Sequence, residues 1–289
     1  MGEFVITTES NCDLPESYVK EHEIGVIPHY YTVDEEMYGD GKELTTHEFY
    51  EAMRAKKKAA TMASNPAVIL DRFTEYAKEG KDILHISFSS ALSSGYQNIV
   101  NGANEVLEDY PDRKIIVIDT LSASMCEGMM IMQAVKMRSE GKSIEETAEW
   151  VKAHTANLCA VFTVDDLDFL YRGGRLSKSS AILGTMINIK PILHINDEGK
   201  LVALSKVRGR KKSLSTLVEL MEERIGSFKD QQIMVTVIHG DCKEEADFVA
   251  DMIKEHFGYN EIMIAPIGPS IGAHSGPGTV GILFMGDKR

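Results

Sequence analysis

The chain has 289 residues, of which 43% are hydrophobic and 26% are charged, a balance typical of globular proteins. This length suggests about two domains. The 31 Lys and Arg residues against 44 Asp and Glu leave a net charge of −13. A field of that sign repels phosphate backbones and anionic lipid, which argues against general nucleic-acid or membrane-surface binding.

The four cysteines stand far apart, so neither a zinc knuckle nor a thioredoxin-type redox pair is expected. The first residues lack the basic and apolar segments of a signal peptide. No stretch reaches the roughly 18 uninterrupted apolar residues that a membrane helix needs. We therefore expect a cytoplasmic protein with reduced, buried thiols and no bound metal.

Strand and helix patterns alternate through the first half of the chain. Residues 3–8 predict a strand, and Asp13 before Leu-Pro predicts a helix start with a capping carboxylate. A less regular stretch precedes a helix from Thr46. Three further strands are predicted, at 82–88, 115–118 and 158–162. Strands separated by helices indicate βαβ units and a parallel sheet that is covered on both faces.

The pattern changes in the second half of the chain. Residues 196–199 (NDEG) join two short strand patterns, which is a hairpin signature. The other predicted elements are helices at 213–225 and 244–257 and strands at 233–238, 262–267 and 280–285. We therefore predict an α/β fold with two domains. Residues 1–160 would form a mainly parallel sheet flanked by helices, and residues 161–289 a mixed α/β sheet.

Two glycine motifs near the end of the chain match known sites only in part. Residues 268–272 (GPSIG) match the nucleophile elbow of α/β hydrolases. No helix is predicted after them, and only one histidine, His274, follows Ser270. Residues 276–281 (GPGTVG) match a dinucleotide fingerprint, but they lead into a strand where that site needs a helix. Neither motif therefore predicts its usual chemistry here.

A serine-rich elbow at residues 89–95 joins a predicted buried strand to a helix. Ligands of open α/β sheets bind outside the carboxyl ends of strands, and the free N–H groups of a helix N-terminus attract anions there. The hydroxyls of Ser90, Ser93 and Ser94 would add donors, as would Ser64 before the neighbouring helix. The alternative is that these serines only cap helices.

Methionine is abundant, with 15 residues. Met125, Met129 and Met132 share one face of a predicted helix, and Met186 lies in a separate apolar segment. Because methionine fits irregular apolar space, these residues either pack in ordinary cores or line an adaptable pocket. An anion site beside such a lining suggests a ligand with a carboxylate head and an apolar tail.

Four motifs together resemble the DegV family of bacterial fatty-acid-binding proteins over nearly the whole chain. The segment TESNCDLP resembles the family's D-S-x-x-D-L-P, with Glu9 in place of the first Asp. Residues 89–97 resemble S-S-x-L-S-G-T-Y-Q, and residues 167–176 resemble L-x-x-L-x-x-G-G-R-I. The last motif, IGPSIGAHSGPG at 267–278, resembles I-G-P-x-I-G-x-H-x-G-P-G and is long and specific.

The resemblance implies a long-chain fatty acid buried between two α/β domains. Residues 1–160 would hold the carboxylate, and residues 161–289 would close over the acyl tail. It also implies a carrier that is not catalytic alone. A separate fatty acid kinase would phosphorylate the bound carboxylate, and the acyl phosphate would enter phospholipid synthesis. No cofactor and no nucleic acid take part, and transient membrane contact is compatible with this role.

The resemblance also implies roles for single residues. Ser93 matches the head-group serine, and His274 matches a residue near the ligand head. Arg175 matches a residue that acts in phosphoryl transfer or faces the kinase. A serine-dependent esterase, using Ser93 or Ser270 with His274, stays open as an alternative function. So does a regulatory module that senses another lipid-like acid.

Two departures from the family motifs affect the predicted head-group site. The family's T-S-Q-P appears as ASNP at 63–66, so Thr61 or Ser64 would replace the missing threonine hydroxyl. The family's L-S-G-T-Y appears as LSSGY at 92–96, which moves the glycine by one position. The predicted carboxylate-binding residues are Ser93, Ser64, Thr61, Ser94 and His274.

Overall fold

The computed structural model describes residues 4–176 and 188–289, so Met186 lies outside the described residues. The chain forms two units, each of which combines two segments. The first unit consists of Met1–Tyr30 and Met62–Ala156, and the second of Tyr31–Thr61 and Asn157–Arg289. The structure thus differs from the predicted division at residue 160, because residues 31–61 belong to the second unit.

The described part of the chain contains thirteen strands and ten α-helices. The strands are β1 (Phe4–Glu9), β2 (Gly25–Ile27), β3 (Tyr31–Val33), β4 (Glu36–Tyr38), β5 (Ala59–Thr61), β6 (Asp82–Ser87), β7 (Ile115–Asp119), β8 (Leu158–Thr163), β9 (Ile189–Ile195), β10 (Leu201–Arg208), β11 (Thr236–His239), β12 (Met263–Pro266) and β13 (Val280–Met285). The helices are α1 (Glu16–Glu21), α2 (Thr46–Arg54), α3 (Pro66–Lys78), α4 (Gly95–Asp109), α5 (Met125–Ser139), α6 (Ile144–His154), α7 (Asp168–Arg172), α8 (Arg210–Ile225), α9 (Lys243–Phe257) and α10 (Pro269–Ser275). Among them, no helix combines the length and the apolar character that crossing a bilayer requires.

The first unit is built on a four-stranded parallel sheet in the order β2-β1-β6-β7. Val5 and Ile83 belong to the core that this sheet forms with α3 and α4. Ile6 and Leu84 alternate with them and are also fully buried. Because successive strand residues point to opposite faces, both faces of the sheet are covered, as predicted.

The second unit contains a six-stranded mixed sheet in the order β10-β9-β8-β13-β11-β12. Only its β11–β12 pair is parallel, and β9 and β10 form the predicted hairpin. A three-stranded antiparallel sheet, β4-β3-β5, completes the unit. The predicted fold class is therefore confirmed, with a parallel sheet in the first unit and a mixed sheet in the second.

Residues 31–61 join the second unit because their aromatic side chains are buried in it. Phe49 and Tyr50, neighbours on α2, are fully buried in an apolar cluster that includes Ala273. The Tyr50 hydroxyl also donates a hydrogen bond to the carbonyl oxygen of Ile267 at 3.1 Å. These partners lie more than two hundred positions along the chain, so local sequence patterns do not reveal them.

Two local predictions about helix ends were wrong. Asp13 does not cap α1: it has a left-handed φ of 57°, and its carboxylate accepts a hydrogen bond from Ser124 Oγ. Pro15 occupies the N-cap position instead. A helix, α10, begins at Pro269 within residues 268–272 and continues to Ser275, where no helix was predicted. Gly272 serves close packing there, because a Cβ would lie 2.5 Å from the Tyr50 hydroxyl.

Candidate functional site

A buried carboxylate lies where β1 ends in the parallel sheet of the first unit. Glu9 is fully buried. Its Oε1 accepts a hydrogen bond from Ser87 Oγ at 3.0 Å, and its Oε2 accepts one from the Phe88 N–H at 3.2 Å. The His85 Nε2 atom lies 3.3 Å from the same Oε2. Three groups from the end of β6 thus fix the orientation of this carboxylate.

The ionisation of Glu9 is coupled to that of a second buried carboxyl group. Burial acts to raise the pKa of Glu9, but the hydrogen bond from His85 and the charge on that ring lower it overall. Burial and the charge of Glu9 raise the pKa of Glu127 well above its usual value. Glu9 is therefore the ionised member of the pair, and Glu127, which accepts from Thr8 Oγ1 at 2.6 Å, is neutral.

Ser64 lies near this carboxylate and is buried. Its Oγ is 3.0 Å from the Nε2 atom of His29. Asn65, not Ser64, caps α3 by accepting a hydrogen bond from the Ala67 N–H. The Ser64 hydroxyl is therefore not used as a helix cap and is available for another role.

Ser93 and Ser94 precede the first turn of α4. The Ser93 Oγ accepts a hydrogen bond from the Gly95 N–H at 3.0 Å. A hydroxyl that accepts in this way keeps its own proton for donation to a ligand. Ser94 occupies the N-cap position, where its exposed side chain makes no capping hydrogen bond. Ser93 thus orders the helix start and still offers a donor.

Gly95 brings the hydroxyls and the carboxylate of the first unit around one point. A Cβ at this position would lie 3.1 Å from Ser64 Oγ, 3.3 Å from Ser93 Oγ and 3.7 Å from Glu9 Oε1. Because Gly95 has no side chain, these three oxygen atoms can lie close to the N-terminus of the 15-residue helix α4. Such a helix end favours an anion. We call these residues, together with His29, the serine cluster.

The sequence predicted part of the serine cluster. Ser64 and Ser93 were expected in the site, and the structure brings them together. Glu9 was recognised only as a departure from a family motif, and His29 was not identified. The available signal for Glu9 was an acidic residue at the end of a strand that is otherwise uncharged, since such a residue is buried only with partners.

The other predicted residues meet in the second unit. Thr61 Oγ1 lies 2.8 Å from His274 Nε2. The opposite ring nitrogen, Nδ1, lies against Gly173, where a Cβ would approach it to 2.3 Å. Arg175 donates a hydrogen bond to the Gly173 carbonyl oxygen. We call Thr61, Gly173, Arg175 and His274 the arginine cluster.

The arginine cluster has a neutral imidazole beside a cation. Burial, and then the charge of Arg175, lower the pKa of His274 to about 4. Burial also lowers the pKa of Arg175, but a guanidinium stays protonated at neutral pH. The cluster therefore offers a fixed positive charge and an uncharged ring that donates or accepts a hydrogen bond.

The positions of the ring nitrogens of His274 do not favour a serine hydrolase based on Ser270. One nitrogen is bonded to Thr61, and the other lies against Gly173. A general base must instead form a hydrogen bond with the nucleophile. Ser270 lies in the first turn of α10, four residues before His274.

A third polar group in the second unit is an ion-pair network. The Asp241 carboxylate accepts from Arg54 and lies 3.1 Å from His47 Nδ1, and Arg54 also donates to Glu51 at 2.8 Å. Ligand atoms of His47, Glu51 and Asp241 lie within 4.8 Å of one another. The guanidinium of Arg54 pairs with the carboxylates of both Glu51 and Asp241. This network therefore links α2 to the residues after β11 and needs no bound ion to account for it.

Comparisons with known proteins place this arrangement in a family. A family model described as "Uncharacterised protein, DegV family" matches residues 3–287. A DegV domain-containing protein of Clostridium perfringens is 40% identical over 291 aligned positions, which cover 100% of this chain and 99% of that protein.

Solved structures agree over the same length. A DegV lipid-binding protein from Thermotoga maritima has a TM-score of 0.85 at 28% identity, with 99% of each chain covered. A stearic acid-binding protein from Eubacterium ventriosum has a TM-score of 0.88 at 27% identity, with 98% of each chain covered. The motifs, the fold and the full-length matches agree, and the chain belongs to the DegV family.

Proposed function

We propose that this protein binds a long-chain fatty acid and presents its carboxylate to a separate kinase, which forms an acyl phosphate. The observation that carries the binding function is the full-length likeness to a protein that binds stearic acid. The serine cluster supports it, because two hydroxyls and a helix N-terminus converge in the first unit where a carboxylate head would need donors.

The tail supplies most of the affinity in this proposal. Burying one acyl methylene contributes about 0.8 kcal/mol, so a tail with roughly fourteen of them contributes on the order of 11 kcal/mol before ordering costs. A hydrogen bond to a charged group contributes about 1.5–3 kcal/mol. The hydroxyls of Ser64 and Ser93 therefore orient the head more than they hold the ligand.

The arginine cluster is assigned to the transfer step. In that step a ligand carboxylate oxygen attacks the γ-phosphorus of ATP on the kinase, an O–P bond forms and ADP leaves. Negative charge accumulates on the transferred group, and a guanidinium matches phosphate oxygens in a bidentate way. Arg175 supplies such a group, and the neutral His274 and Thr61 beside it add hydrogen-bonding capacity without cancelling its charge.

Mass spectrometry of an organic extract from the purified protein tests the binding function. We expect about one long-chain fatty acid per chain, since the tail alone supplies tight binding. The control is the same protein after delipidation and refolding, which should take up added fatty acid again. A ligand-free protein that also fails to bind added fatty acid would remove the proposal. Turnover of an ester by the protein alone would favour the esterase instead.

A further inference from the structure

His29 is a buried imidazole in the serine cluster. It is 6% exposed, and its backbone N–H donates to Ser10 Oγ at 2.9 Å. Its ring nitrogen Nε2 lies 3.0 Å from Ser64 Oγ. The backbone of Ser64 is fixed as well, because its carbonyl oxygen accepts from Asn98 Nδ2 at 2.9 Å. Both partners of the His29–Ser64 hydrogen bond are thus held in place.

The position of one proton decides what the Ser64 hydroxyl offers a ligand. If Nε2 of His29 carries no proton, Ser64 must donate to it and presents only lone pairs elsewhere. If Nε2 carries a proton, Ser64 accepts from it and its own proton is free to point to an anion. Only the second arrangement makes Ser64 a donor to a carboxylate: a neutral ring reaches it in one of its two tautomers, and the doubly protonated ring always adopts it.

Charge near His29 determines which arrangement is stable. Burial lowers the pKa of His29, and the ionised Glu9 on β1 acts in the opposite direction. Three other ionisable groups lie near Glu9. His85 on β6 is hydrogen-bonded to the Glu9 carboxylate. Burial raises the pKa of Glu127 on α5 and of the Cys12 thiol, which leaves both groups uncharged. A ligand anion at Ser64 would add a second negative charge near the ring, which favours its cationic form.

We propose that His29 is a positioning residue for the ligand carboxylate: it takes up a proton from solvent when the anion binds, donates through Nε2 to Ser64, and so directs the Ser64 hydroxyl proton to the ligand. This inference rests on the proposed function, because it requires a carboxylate at the serine cluster. In this proposal each fatty-acid anion that binds brings one proton from solvent with it.

Isothermal titration calorimetry with dodecanoate, kept below its micelle concentration, measures that proton. The binding enthalpy near neutral pH is recorded in buffers of different ionisation enthalpy, and the slope gives the protons taken up. We expect uptake approaching about one proton per dodecanoate in the unmodified protein. Tighter binding is expected at lower pH within the range where His29 gains its proton.

Two substitutions of His29 separate its proton from its hydrogen bond. In His29→Gln the amide N–H can still donate to Ser64, so uptake should fall to about zero while Kd changes by less than about three-fold. In His29→Leu the donor is lost as well, and Kd should rise about ten-fold. Thermal melts report whether each variant folds. His256→Gln, at an exposed histidine of the second unit, should retain full uptake.

The outcomes are distinct. Dodecanoate binding without proton uptake, or uptake that persists in His29→Gln, would overturn the role of His29. Uptake that survives in His29→Gln but is lost in Glu9→Gln would place the proton on a ligand–Glu9 pair instead. If the unmodified protein binds neither dodecanoate nor longer fatty acids, the proposed function itself fails.

Discussion

The serine cluster of the first unit and the arginine cluster of the second both pair a hydroxyl with a buried imidazole, but the neighbouring charges are opposite. His29 bonds Ser64 beside the ionised Glu9: burial lowers the pKa of the ring, and the charge of Glu9 acts in the opposite direction without reversing that shift. His274 bonds Thr61 beside Arg175, whose charge adds to burial and lowers the pKa to about 4. The pKa of both rings lies below the usual value, but the neighbouring charge opposes the effect of burial in the first unit and adds to it in the second.

This difference suggests a division of labour. A ring that can become cationic suits a site that must accept a carboxylate, because it responds to the incoming charge. A ring that stays neutral beside a guanidinium leaves that positive charge undiminished for a phosphoryl group. The predictions below test whether affinity depends on the serine cluster and transfer on the arginine cluster.

The largest effect is expected for Arg175→Ala. The tail should still bind, so fatty acid should copurify as in the unmodified protein. Acyl-phosphate formation with the cognate kinase and ATP should fall about a hundred-fold or more, since one donor to developing charge is lost. Both quantities are measured on the same preparation.

Arg175→Lys is the matched control and should recover the transfer only in part, because a single ammonium cannot reproduce the guanidinium fork. Unchanged phosphorylation of Arg175→Ala would end the assignment of transfer to the arginine cluster. Loss of fatty-acid binding would instead make Arg175 part of the binding site.

Ser93→Ala should affect affinity. Removing its hydroxyl deletes one hydrogen bond to the ligand carboxylate, so Kd should rise about ten-fold to a hundred-fold in a fatty-acid titration. The fold should persist, although the melting temperature should fall slightly because the hydroxyl also accepts from the Gly95 N–H. Ser139→Ala, which removes an exposed helix hydroxyl, is the control. A lower melting temperature with unchanged Kd would make Ser93 only a helix cap.

The smallest effect concerns the pH dependence of stability. The pKa of His274 is about 4 in the folded protein against 6.5 as the usual value, so the unfolded chain binds more protons as pH falls through this window. Stability is therefore lost on acidification. His274→Gln, which keeps a hydrogen-bonding group for Thr61, should reduce the loss between about pH 7 and 5.5 by about 1 kcal/mol.

Denaturant titrations at both pH values measure this difference, with His256→Gln as the exposed control. An identical pH dependence in the unmodified protein and His274→Gln would show that the ring is not held neutral. The contrast between the two clusters would then no longer hold.

Local motifs pointed to only some residues of the proposed site. Ser93 was proposed because a serine-rich elbow between a strand and a helix is recognisable, and Arg175 because it follows a glycine pair in a family motif. His29 carried no such signal: it lies outside regular structure, and its role depends on burial beside Glu9. The helix α10 was missed because it is only seven residues long and a glycine- and proline-rich segment, 276–278, follows it at once.

The question of which hydroxyl replaces the family threonine shows the same limit. Sequence offered Thr61 and Ser64 as equivalent candidates three positions apart. The structure assigns them to different units and different histidines. Because residues 31–61 belong to the second unit, the chain crosses from one unit to the other between these two residues.

The sequence by itself determined the fold class, the parallel and mixed sheets and the serine elbow, because strand and helix periodicity and turn residues act over a few neighbouring positions. Only the tertiary structure decided which imidazole meets which hydroxyl. The His29–Ser64 and Thr61–His274 pairs span 35 and 213 positions. The charge of each ring depends on burial and on Glu9 or Arg175 beside it, and both arise only when distant segments pack together.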